Sequence, residues 1–168
     1  MSISYEIEPC DILKARELVI SRKHKYVKGK DEDWNSIMTG IMQPKGNIHL
    51  NIGTQLTSDE IAEAAKCDKN DRYQLIRHAV DLRVIDGYKL WKNNYVAYDL
   101  LNHSFKYSDM YDISDIEKFV AYMEHQLDTV EKEINREDLR RIFLGIYANP
   151  VVTKELLAKE KQTRSILL

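Results

Sequence analysis

Apolar residues recur at intervals of three and four along nearly the whole chain, and that period commits it to α-helices rather than to an extended sheet. The series includes Ile12, Leu13, Ala15, Leu18 and Val19, then Trp34, Ile37, Met38, Ile41 and Met42. It resumes with Leu75, Ile76, Ala79, Val80 and Val84, and again with Ile116, Phe119, Val120, Met123, Leu127, Val130 and Ile134. Only six glycines and three prolines interrupt the 168 residues, so each break stands out. The pattern predicts helices from Pro9 to about Ile20, from Asp31–Asp33 to Met42, and from Asp115 to Ile134. It predicts another from an Asn135 cap to just before Pro150, and a last one capped by Thr153. Two stretches depart from the helical period. Ile48–Ile52 alternates apolar and polar residues as a short strand does, and Tyr88–Trp91 and Tyr95–Tyr98 flank Lys92-Asn93-Asn94 as a hairpin would.

Apolar residues at 43% suffice for a core, and charged residues at 31% leave no run able to span a bilayer. MSISYEIEPCDILK has no apolar stretch of the signal-peptide kind, so a cytoplasmic protein without membrane association is expected. Two cysteines, Cys10 and Cys67, allow neither a disulfide scaffold nor a four-cysteine zinc site. His24, His49, His78, His103 and His125 lack the spacing of a metal site. No nucleophile elbow or glycine-rich phosphate loop occurs. No catalytic residue, metal or cofactor is therefore expected, and the chain reads as a binding protein rather than an enzyme.

The net charge of −2 is unevenly spread: residues 1–30 carry +3, 31–106 carry −2, 107–134 carry −6 and 135–168 carry +3. With the helical breaks, this divides the chain into an N-terminal helix and basic segment (1–30), a central domain (31–106) and a C-terminal helical segment (107–168).

The central domain carries the most specific pattern. Thr57 and Glu60 are spaced as a capping box, opening Ser58-Asp59-Glu60-Ile61-Ala62-Glu63-Ala64-Ala65. A short turn, Cys67–Asn70, leads to a second helix over Asp71–Val84, and Ala62 and Ala65 are small enough for two helices to cross closely. Helix, strand, helix, turn, helix and hairpin in this order resemble a winged helix-turn-helix domain. The layout is also similar to the N-terminal domains of DnaD-type and phage replisome-organiser proteins. The expected fold is mainly α with a small β wing, followed by the C-terminal helical segment. Arg83 stands where the family usually has glycine, and Arg72 where it usually has an apolar residue.

The resemblance implies that the second helix enters the major groove of duplex DNA by its N-terminal end, presenting Lys69, Asn70, Arg72, Tyr73, Gln74 and Arg77. The wing would bring Lys89, Lys92, Asn93 and Asn94 to the backbone or minor groove. Arg22, Lys23, Lys25 and Lys28 would add phosphate contacts. The stripe Ile116, Val120, Met123, Leu127, Val130 and Ile134 reads as a homodimer or partner seam, and the acidic 107–134 stretch as a surface for a basic partner. The expected role is that of a transcriptional regulator or replication-initiation accessory, of phage or mobile-element type. The alternative is an interaction module, such as a phage-encoded inhibitor of a host nucleic-acid enzyme.

Overall fold

The computed structural model describes residues 1–166. It is mainly helical, with 66% of residues in helices and one small antiparallel sheet of two strands. Strand β1 (Ser2–Tyr5) precedes helices α1 (Asp11–Lys23) and α2 (Glu32–Met42), and β2 (Ile48–Asn51) follows. Helices α3 (Ser58–Ala65), α4 (Lys69–Gly87), α5 (Lys92–Asn102), α6 (Ile113–Leu127) and α7 (Arg136–Ile166) complete the described chain. These elements form two compact units that cut across the expected boundaries at 30/31 and 106/107. Among the described residues, unit 1 comprises 1–4, 49–89 and 153–166, and unit 2 comprises 5–48 and 90–152.

Unit 2 holds most of the core. Ala15 and Val19 of α1, Val96 and Ala97 of α5, Phe119, Met123 and Leu127 of α6, and Leu139, Phe143 and Tyr147 of α7 are all buried. Phe119, Phe143 and Tyr147 meet with ring centroids 5.1 to 6.4 Å apart. The stripe read as a dimer seam is thus internal. Met123 and Leu127 are 3% and 2% exposed, Ile116, Val130 and Ile134 pack against the same cluster, and Val120 is half-buried. The helix itself stops at Leu127, seven residues short of Ile134.

The expected hairpin is absent, because residues 92–102 form α5 instead. Asn94 explains the change. Its Oδ1 accepts from Trp91 N–H at 2.7 Å, which caps the helix, and its Nδ2 donates to the Tyr147 carbonyl at 2.8 Å. Val96, Ala97, Leu100 and Leu101 then turn to the core at helical spacing, and tertiary burial overrides the strand preference of the local aromatic residues. Asn94→Ala removes both the cap and a buried hydrogen bond, with an expected loss of about 2–4 kcal/mol in urea melts. A loss below about 1 kcal/mol would show that Asn94 does not set this helix.

Helix α7 continues through Pro150, where a break was expected. Proline removes one backbone donor, but Tyr147, Ala148 and Val151 around it are at most 1% exposed, and their burial holds the helical path.

Helix α2 is inverted relative to ordinary amphipathic packing. Its half-buried residues are Glu32, Ser36, Thr39 and Gly40, with Gln43 just beyond the helix end. Cys10 Sγ donates to the Ser36 carbonyl at 3.2 Å, Cys10 N–H donates to Gln43 Oε1 at 2.9 Å, and Tyr26 Oη donates to Glu32 at 2.6 Å. The apolar stripe lies about 180° around the helix. Trp34, Ile37, Met38, Ile41 and Met42 are 62, 56, 37, 64 and 74% exposed, and no residue of α2 is buried.

In unit 1, α3 and α4 are joined by the three residues 66–68 and cross over Ala64, which is 1% exposed. Ala62 and Ala65, expected at this crossing, are exposed. Gly87 closes α4 where a Cβ would lie 1.9 Å from Asn51 Nδ2, so any larger residue there would have to displace the Asn51 side chain of β2.

Candidate functional site

The α3–turn–α4 pair is fastened by one network. The Thr57 side chain accepts from Glu60 N–H, and the Glu60 carboxylate accepts from Thr57 N–H at 2.7 Å, as the capping-box spacing predicts. Arg83 reaches the same carboxylate at 2.8 and 3.0 Å and also donates to Thr54 Oγ1 and the Gln55 and Ala79 carbonyls. The Thr57 amide first, and then Arg83, hold the Glu60 carboxyl below the usual range. Arg83 stands where the resembled family usually has glycine, and here it ties α4 to the start of α3. Its spacing of 23 residues from Glu60 carries no sequence signal.

Asp68 caps α4 by accepting from Asp71 N–H at 2.9 Å, so the helix begins two residues earlier than expected. At 100° per residue, Lys69, Asn70, Tyr73, Gln74 and Arg77 fall on one arc of about 140°. All five are exposed. They span about 12 Å along the axis, close to the width of a major groove. Asp71 lies outside that arc, and Asp81 faces Arg77 at 3.9 Å one turn further on. Arg72 does not join this face. Its guanidinium donates to the Ala65 and Cys67 carbonyls at 3.2 and 3.4 Å and caps the C-terminus of α3.

The residues assigned to a wing are placed otherwise. Lys92 pairs with Asp115 at 2.6 Å and Asp112 at 3.1 Å, Asn93 Nδ2 donates to the Glu6 carbonyl, and Asn94 is buried. Lys89 is exposed in the segment after α4. Arg22, Lys23, Lys25 and Lys28 are exposed but belong to unit 2, with Lys28 ion-paired to Asp33. The acidic stretch is largely neutralised within unit 2. Glu124 binds Arg136 and Arg140, Asp128 binds Arg136, and Arg16 binds Glu131 and pulls its carboxyl down to about 2. Among the described residues of that stretch, Asp109, Glu117 and Glu133 make no such pair.

A groove of about 420 Å³ in unit 2 is lined by Lys14, Arg16, Glu17, Tyr26, Lys28 and Asp33, among others. Its charged groups are committed to internal pairs, Lys14 to Glu17 and Lys28 to Asp33. Cys10 at its edge has a thiol that burial pushes up, the opposite of an activated nucleophile. Among the described residues no cluster of three or more histidine, cysteine, aspartate or glutamate side chains is arranged to hold a metal ion. No helix there is long and apolar enough to cross a membrane. No family model matches this chain, and no curated protein or solved structure matches it significantly.

Proposed function

We propose that the protein binds duplex DNA through the exposed N-terminal face of α4, as a wingless helix-turn-helix. The observation that carries this reading is the single arc of Lys69, Asn70, Tyr73, Gln74 and Arg77 at the N-terminal end of a helix set across a short, capped turn. Asparagine and glutamine pair with adenine, arginine pairs with guanine, and Lys69 with the helix N-terminus favours phosphate. In this role the protein contributes recognition and no chemistry of its own, as a transcriptional regulator or a replication-initiation accessory.

The surface sets the strength. Residues 49–89 carry six lysines and arginines against seven acidic residues, so few phosphates are neutralised. With Lys69 and Arg77 as the contacts, the logarithm of affinity should fall with log salt at a slope of about −2. Lys69→Ala should reduce that slope by about 1, and Arg77→Ala should cost about 1–3 kcal/mol on a preferred site. Affinity that ignores salt and both substitutions, or no binding at low salt, overturns the reading. A second reading, a protein-interaction module, is favoured by the outward apolar face of α2.

A further inference from the structure

From the inverted packing of α2, we infer that this helix is the contact through which two copies of the chain associate, antiparallel about a twofold axis near Met38. The inference is independent of DNA binding.

Three observations select a second copy as the occupant. First, the stripe is complementary to its own reverse. Antiparallel pairing about Met38 sets Trp34 against the partner's Met42, a favourable sulfur–aromatic contact, and Met38 against the partner's Met38. Ile37 and Ile41 lie together on one side of that row and extend the contact there. Second, the charges at the ends agree with that direction. Asp31, the residue before α2, is exposed, sits at the edge of the stripe and makes no side-chain hydrogen bond to cap the helix. Lys45, just after α2, donates only to the Ile41 and Gln43 carbonyls and has no carboxylate partner among the described residues. An antiparallel pair brings Asp31 of each copy to the partner's Lys45, whereas a parallel pair brings Asp31 to the partner's Asp31. Third, α2 contains no lysine or arginine and begins with Glu32 and Asp33, which disfavours an anionic lipid surface as the occupant.

The exposed area sets the expected affinity. Five such side chains offer on the order of 600 Å² per copy, at the upper end for an apolar patch on a monomer. That lies below the about 800 Å² per partner of a standard interface, so the dimer should dissociate in the micromolar range.

Light scattering on the full chain from about 1 µM to about 1 mM should show the mass rising from monomer to dimer. Trp34 emission should shift to the blue over the same range. Ile41→Asp and, separately, Trp34→Ser should each hold the protein as a folded monomer at the highest concentration, because both sites are solvent-exposed within one copy. Asp31→Lys should weaken the dimer about tenfold, and Asp31→Lys combined with Lys45→Asp should restore it. A monomer throughout the range overturns the inference, as does a dimer indifferent to Ile41→Asp and Trp34→Ser. A Trp34 shift seen only with phosphatidylglycerol vesicles overturns it in favour of a lipid surface. Failure of the double charge swap to rescue the dimer overturns the antiparallel arrangement.

Discussion

Leu127→Asp is expected to unfold unit 2, and a folded monomer is not the expected product. Leu127 is 2% exposed in a cluster with Phe119, Met123, Phe143 and Tyr147. Removing its side chain costs about 2–5 kcal/mol, and the unpaired carboxylate put in its place adds a further desolvation cost. Together these approach the whole stability of a domain, roughly 5–15 kcal/mol. Met123→Asp, at 3% exposure, should behave alike. Circular dichroism melts distinguish the two roles of the stripe. A core residue gives loss of the cooperative transition, with Leu127→Ala as a milder variant losing about 2–5 kcal/mol. A seam residue would instead give a native spectrum with halved mass, and that outcome would return α6 to the surface. Self-association through α2 should remain in Leu127→Ala, because the two stripes are separate.

The apolar period in the sequence found most helices but could not say which way a stripe faces. The stripes of α2 and α6 look equivalent as sequence, yet one lies in solvent and the other in the core. What separates them is partners remote in the chain. Cys10 engages the polar side of α2 from twenty-six residues before Ser36, while Phe143 and Tyr147, well beyond the end of α6, close over its apolar side. The capping box at Thr57 was legible because its atoms are three residues apart, and the cap at Asn135 is local in the same way, whereas Asp68, equally local, was read as part of the turn and not as the cap of α4. The wing failed for a related reason. Lys92-Asn93-Asn94 satisfies a turn locally, but Asn94 also reaches Tyr147, fifty-three residues away, and that bond with the burial of Val96 and Ala97 selects a helix. Of the proposed reading face, Lys69, Asn70, Tyr73, Gln74 and Arg77 were named from the resemblance to a winged helix-turn-helix, and the start of α4 at Lys69 puts all five on one helix. Arg72 was withdrawn from it by the free carbonyls at the end of α3.

Tyr147→Phe should destabilise the protein by about 2–4 kcal/mol, although it deletes a single oxygen. That oxygen donates to Asp11 Oδ2 at 2.6 Å and accepts from Glu8 N–H at 3.1 Å, and Tyr147 is fully buried. Tyr122 Oη donates to the same Asp11 oxygen at 2.8 Å, and Ile12 N–H donates to the other at 2.7 Å. Burial pushes the Asp11 carboxyl up and outweighs these hydrogen bonds, which act to lower it. The folded state therefore holds the Asp11 proton more tightly than the unfolded chain does. Its stabilising contribution is complete below about pH 4, where both states are protonated, and is lost as pH rises through the folded value. Asp11→Asn keeps the shape and cannot titrate, so its stability relative to the native protein should improve as pH rises from about 4 to about 8. Urea melts of the two proteins across that range measure the difference. A native protein that instead gains on Asp11→Asn with rising pH would show that the tyrosine hydroxyls and the Ile12 amide outweigh burial. Asp11 would then be an ionised anchor for α1, and Tyr147→Phe, by removing a donor to a buried anion, should cost more than about 4 kcal/mol.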